Sequence, residues 1–287
     1  MKMTEVEIKP MNSGISRGDG IISFGSCFSS EMGKRLADDG YDICNNPFGV
    51  LYNPVSIANS ISLLESGRMF GPEDTVPRDT NPKYEERKTP PAASPGHRPT
   101  GISEGYVSFY HHGSFTRKTP EEFIENANRE IACAREKYRK ARWVIITFGT
   151  AWAYRHLQKG IIVSNCHRHP AWEFRRELTG VEETVRLWDG IVADRGKEFI
   201  ITVSPIRYKK DGMHGSQVSK ATLLLAAECL ATSHANVHYF PAYELMLDEL
   251  RDYGWYAEDL VHPSEKAISY IYEKFKKFIN FAPKDEL

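Results

Sequence analysis

Residues 21–28 read I-I-S-F-G-S-C-F, and residues 143–149 read W-V-I-I-T-F-G. Each is a short, nearly continuous apolar run closed by a glycine. A strand with one wet face alternates apolar and polar residues, whereas a run like these fits a strand buried on both faces. Phe199-Ile200-Ile201-Thr202-Val203 repeats the pattern, and Val237-His238-Tyr239-Phe240 and Tyr41 to Cys44 are shorter versions. Helical patterns lie between them. Phe28, Met32 and Leu36 recur every four residues, with Gly40 as a C-cap. Asn53-Pro54 supplies a cap and a first-turn proline ahead of Ile57, Ile61 and Leu64. Thr119-Pro120-Glu121-Glu122 starts a helix expected to reach about Lys140, its acids facing the positive end of the dipole. A hairpin-like section spans Tyr154 to Val163, and further helices are expected at Glu182 to Val192, Ser219 to Ala231, Glu244 to Asp252 and Ser264 to Phe278. Buried strands alternating with helices imply a parallel sheet covered on both faces, a three-layer α/β/α sandwich formed as a single domain over residues 1–287. Ligands of such sheets sit beyond the carboxyl ends of the strands, where Ser26, Thr150 and Ser204 fall.

The composition narrows the partners. The formal net charge is −1, which gives no electrostatic reason to expect nucleic acid or an anionic membrane. The N-terminus lacks an apolar signal core, and no stretch approaches the roughly 20 apolar residues of a membrane span. Five cysteines (Cys27, Cys44, Cys133, Cys166 and Cys229) are scattered and never spaced C-x-x-C. That suits a reducing compartment, and the expected location is the cytoplasm. Residues 71–105 are rich in proline and charge and almost free of large apolar groups, and are expected to be a loop inserted into the domain.

Two features carry chemistry. Ser26 and Cys27 lie in the turn between the first strand and a helix expected to begin near Ser29. Such a turn points backbone N–H groups outward, and the helix N-terminus offers positive charge to an oxyanion. Either side chain is a nucleophile by chemistry, and a thiolate is the better one. Near the other end, residues 259–263 read D-L-V-H-P. An aspartate three residues ahead of a histidine can curl back onto the imidazole, fix its tautomer and leave the other nitrogen as a general base. The first and last strands can bring these features together. The remaining histidines, His111, His112, His156, His167 and His169 among them, show no helical i, i+4 pair with a nearby acid, and no metal or other cofactor is expected.

The residues Gly25-Ser26-Cys27-Phe28 and Asp259-x-x-His262-Pro263 resemble the two ends of an SGNH (GDSL-like) hydrolase, and more narrowly the GSCFA family, named for G-S-C-F-A; Ser29 stands where the name has alanine. Segments 46–54 (N-P-F-G-V-L-Y-N-P), 148–152 (F-G-T-A-W), 165–167 (N-C-H), 204–207 (S-P-I-R) and 239–253 are similar as well. The resemblance implies a flavodoxin-like SGNH-hydrolase fold and a serine esterase that removes a small O-acyl group, acetyl above all, from a carbohydrate or related small molecule through an acyl-enzyme. It implies Ser26 as nucleophile, His262 as base and Asp259 as orienting acid, with Cys27 packed as a small hydrophobe. Oxyanion donors would be the Ser26 N–H and Gly49, with Thr150 or Asn165 replacing an asparagine that the third block, Gly149-Thr150-Ala151-Trp152, lacks. Asn53, His112, Trp152, His167 and Arg207 are the candidate substrate contacts. The alternatives are an O-acyltransferase with the same triad and a non-catalytic carbohydrate- or partner-binding domain.

Overall fold

The computed structural model describes residues 4–78, 105–193 and 196–280. In chain order the elements are β1 (Gly20–Gly25), α1 (Cys27–Asp38), β2 (Asp42–Asn45), α2 (Pro54–Ser66), β3 (Val76–Pro77), β4 (Tyr106–Val107), α3 (Pro120–Lys140), β5 (Trp143–Phe148), β6 (Trp152–His156), β7 (Ile162–Val163), β8 (Phe174–Leu178), α4 (Val181–Val192), β9 (Glu198–Val203), α5 (Gly212–Ser233), β10 (Val237–Phe240) and α6 (Glu265–Phe278). Five strands form one parallel sheet ordered β2-β1-β5-β9-β10.

The apolar runs explain the layers. Ile22, Phe24, Val144, Ile146, Phe148, Phe199, Ile201 and Val203 point to one face, into a core completed by Ile57 and Ile61 of α2, Phe123 and Ile131 of α3, Trp188 of α4 and Leu223 of α5. The alternate residues Ile21, Trp143, Ile145 and Ile200 point to the other face, against Phe28, Met32 and Leu36 of α1 and Ile271 and Phe275 of α6. Both faces are dry, so the strands need no polar alternation, and the three-layer α/β/α architecture read from the sequence is what the chain adopts.

In chain order the sheet strands run 2-1-3-4-5, the flavodoxin-like order, which reverses between β1 and β5. Several elements differ from expectation. Helix α1 starts at Cys27, two residues early, and α5 starts at Gly212, seven residues early. The expected helix over 244–252 is a short helical stretch over 242–249, closed by a π-type bond from Leu250 N–H to Leu245 O (2.8 Å) that turns Glu249 inward to Tyr270 and Lys274. The hairpin of β6 and β7 is joined by β8 into a second, antiparallel sheet. The flanks of the proline-rich stretch are not plain loop: β3 pairs with β4, and residues 72–74 form a 3-10 turn. The rest of that insertion, residues 79–104, lies outside the described residues. Among the described residues no helix is long and apolar enough to cross a membrane.

Candidate active site

Strand β1 ends on Gly25, whose φ of +149° only glycine adopts without strain, and a Cβ there would lie 2.5 Å from the Thr147 carbonyl oxygen of β5. The chain therefore turns sharply, and Ser26 becomes the N-cap of α1, with no side-chain hydrogen bond closing the first turn. Ser26 is 2% exposed. Its hydroxyl donates to the Ser204 Oγ at 3.1 Å, across the end of β5. Cys27, the first residue of α1, is half-buried.

The segment after residue 256 forms the other wall. A β-bridge between Tyr256 and Pro263 and hydrogen bonds from Ala257 N–H to His262 O (2.8 Å) and from Leu260 N–H to Ala257 O (2.9 Å) close a tight loop, with Leu260 in the left-handed region. Asp259 organises it from inside. Its Oδ1 accepts the N–H groups of Val261 (2.8 Å) and His262 (3.0 Å), and its Oδ2 accepts from His262 Nδ1 at 2.6 Å. Burial opposes the Asp259 charge, but these hydrogen bonds together outweigh it and hold the carboxyl at about 2. Because a carboxylate only accepts, the proton is on Nδ1. The Cys27 side chain is the largest influence favouring the charged imidazole, burial opposes it, and Asp259 adds to it, raising His262 to about 9. The loop is fastened to the β9 end by Arg207 N–H to Val261 O (3.1 Å) and Lys209 Nζ to Asp259 O (2.6 Å).

The sequence-based candidates are therefore redistributed. Asp259 and His262 pair as the spacing indicates, and the Ser26 hydroxyl is directed to Ser204. Half-buried Cys27 lies near enough to the imidazole to influence its charge. Gly49, at φ +75°, gives its N–H to Asn46 O at 2.7 Å. The Thr150 hydroxyl pairs with Ser219 Oγ (3.1 Å) and accepts the Trp152 N–H (3.1 Å). Asn165 Oδ1 takes the His167 N–H (2.8 Å). Asn53 is buried as the N-cap of α2, its Oδ1 accepting the Ser56 N–H at 2.8 Å. His167 is buried with Nε2 2.9 Å from Ser108 O, and burial drives its pKa down to about 3, so it is a neutral core histidine. His112 is half-buried beside Gly49, where a Cβ on the glycine would lie 2.5 Å from the His112 Cβ. Trp152 carries the Arg176 guanidinium 4.0 Å above its ring. Arg207 stacks on Tyr256 (4.3 Å) and Tyr253 (5.3 Å) beside the His262 loop.

Two residues were not singled out by sequence reasoning. The Tyr52 hydroxyl is held protonated by burial first and by the neighbouring Cys27 second. Lys220 is 2% exposed and donates from Nζ to Ser204 O (2.6 Å) and Gly149 O (2.7 Å), linking the ends of β9 and β5. Tyr52 stands in the same quoted segment as Gly49, which was the available signal; an isolated lysine inside a helix carries none. Among the described residues no three His, Cys, Asp or Glu side chains are placed to hold a metal.

The class is an α/β protein with a flavodoxin-like parallel sheet and a carboxylate-bound imidazole near the C-terminal end of the fold. The GSCFA family model matches residues 20–275, and the chain belongs to the GSCFA family. No curated protein matches it. One solved structure it is similar to is described as "a putative platelet activating factor from Streptococcus pneumonia", with 10% identity and a TM-score of 0.41 over 91% of this chain and 84% of that one.

Proposed function

We propose that this protein hydrolyses a small O-acyl ester, with Cys27 as the attacking atom, His262 as the proton carrier and Asp259 as its orienting acid. The observation that carries the reading is His262 with its Nδ1 held by the Asp259 carboxylate at 2.6 Å, and with the Cys27 side chain as the largest influence on its charge. An imidazole with a pKa near 9 is protonated at neutral pH. That is the wrong state for a base that must deprotonate a serine, and the right one for an imidazolium beside a thiolate. A helix N-terminus adds to such a pair.

In the resting pair the shared proton is already on His262 and Cys27 is the thiolate. The thiolate attacks the ester carbonyl carbon, forming the S–C bond and moving the carbonyl electron pair onto oxygen. Collapse of this intermediate breaks the C–O bond, and the leaving alkoxide takes the proton from His262. Water then attacks the thioester and yields its proton to His262; the acid departs, and Cys27 returns to its starting state. The acyl group is acetyl or of similar size on a carbohydrate or related alcohol, a substrate class that rests on the SGNH-like sequence resemblance alone.

Turnover of p-nitrophenyl acetate tests the reading. Cys27→Ala and His262→Ala should each lower kcat/KM by about 10²-fold or more, while Ser26→Ala should stay within about tenfold of wild type. Activity that survives Cys27→Ala and disappears in Ser26→Ala would move the attacking atom back one residue. Activity indifferent to both would end the hydrolase reading.

A further inference from the structure

The segment after β9 is tied to the loop that carries His262. Arg207 N–H donates to Val261 O (3.1 Å), and the Arg207 guanidinium lies 4.3 Å over Tyr256, the residue bridged to Pro263. Between this segment, α5 and residues 243–247 is a pocket whose polar lining is Arg207, Ser216, Gln217, Lys220, Tyr243 and Tyr256. Among the described residues no aspartate or glutamate lines it, and neither Arg207 nor Lys220 forms an ion pair. The guanidinium has one long hydrogen bond, to Leu260 O at 3.5 Å. Lys220 Nζ gives two of its hydrogens to the Ser204 and Gly149 carbonyls (2.6 and 2.7 Å) and keeps the third. The acceptors of the wall are already in use. Gln217 Oε1 takes the Tyr243 hydroxyl (2.6 Å), which leaves the Gln217 amide N–H groups unspent. Ser216 Oγ takes the Tyr208 N–H (3.3 Å), which leaves its own hydrogen. Two cations without a counter-ion and a surplus of donors make a wall that suits an anion.

Resting on the hydrolase reading above, we propose that this pocket binds a carboxylate on the alcohol part of the substrate, through Arg207, Gln217 and Lys220, so that the ester cleaved is an O-acylated hydroxy acid. A planar guanidinium stacked on a ring offers paired N–H groups that match the two oxygens of a carboxylate. The second cation is 2% exposed and already holds two carbonyls, so the wall is matched to a single negative charge and not to a doubly charged phosphate. Arg207 carries both the pocket and, through its backbone, the Val261 end of the His262 loop. A carboxylate held there keeps its ester beside that loop, which lowers the entropy cost of reaching the imidazole. Binding of the carboxylate itself does not depend on the hydrolase reading.

The test compares 2-acetoxybutyrate, 3-acetoxybutyrate and 4-acetoxybutyrate with their uncharged amides. In the wild type at least one acid should exceed its amide by about tenfold or more in kcat/KM, and Arg207→Gln should erase that ratio. Gln217→Glu keeps an acceptor for Tyr243 but adds a negative charge to the wall, and should lower the ratio by about tenfold as well. A ratio near one for all three acids would overturn the proposal, as would a preference that survives both substitutions. Thermal melts at constant ionic strength read the site without turnover. 3-Hydroxybutyrate should raise the wild-type midpoint by about 2 °C or more over sodium chloride, and should not do so in Arg207→Gln. A larger rise with inorganic phosphate would overturn the carboxylate assignment. An Arg207-dependent rise in a protein that cleaves no ester would sink the hydrolase reading and leave the carboxylate site standing; cleavage with no acid preference would do the reverse.

Discussion

His262, the proposed proton carrier, is pulled in opposite directions. The Cys27 side chain favours its charged form most, burial disfavours it, and Asp259 adds to the first side, so the charged form persists to about pH 9. For an alkyl ester such as glyceryl triacetate, whose alkoxide needs a proton, kcat/KM should therefore decline as pH rises through about 9. Asp259→Asn removes an influence that raises the imidazole pKa. The decline should start at lower pH, with a loss of rate of about 10²-fold or more. The carboxylate itself is held at about 2 instead of its ordinary 3.8. Its contribution to stability is complete above the ordinary value and is lost as pH falls through about 2, so acid unfolding of Asp259→Asn should lack that component. Ser26 and Cys27 show how far single residues were legible. Their chemical types and their turn were readable, but which one faces the base was not. A one-residue difference at a helix start rotates a side chain by about 100°, and α1 begins at Cys27 instead of near Ser29.

At the scale of elements, caps and strand ends decide the local structure. Thr119 accepts the Glu122 N–H at 3.2 Å, as its place before Pro120 indicated, and Thr119→Ala should cost about 1 kcal/mol in chemical denaturation. Gly25 sets the exit of β1. Gly25→Ala puts a Cβ against Thr147 and an L-residue in a left-handed conformation, and should cost about 3 kcal/mol or more. A thermal melt checks this, and an unchanged midpoint would show that the turn relaxes freely. The helix over 242–249 and the early start of α5 were not legible, because both contradict local preference. Glycines at 212 and 215 disfavour a helix, yet the turn is taken up by packing. The π turn is fixed by where Glu249 finds Lys274 and Tyr270, partners some twenty residues away in sequence.

Across the whole molecule, Lys220 of α5 ties the ends of β5 and β9 together through the Gly149 and Ser204 carbonyls. Burial lowers its pKa to about 7. The unfolded chain then binds the proton more tightly than the folded one between about pH 7 and the ordinary lysine value of 10.5. Stability contributed by this site should rise with pH over that window. In Lys220→Met the rise should be absent, as urea unfolding at pH 7 and pH 10 would show; a slope equal to wild type would mean the ammonium is solvated. The same variant leaves the Gly149 and Ser204 carbonyls unpaired, so it should also be less stable at neutral pH by about 1–3 kcal/mol.

The sequence by itself determined the layered sheet, since runs such as Trp143–Phe148 and Glu198–Val203 carry too many apolar residues for a strand with a wet face. It also determined the Asp259–His262 pair, because a three-residue turn is a local event that needs no distant contact. Only the tertiary structure decided what that pair faces. Cys27 and His262 are separated by long stretches of chain and come near one another only because the sheet brings the end of β1 and the loop after Tyr256 together. The I-I-S-F-G-S-C-F stretch offered two nucleophiles; the start of α1 at Cys27, with Phe28, Met32 and Leu36 buried, leaves Ser26 as the N-cap with its hydroxyl on Ser204.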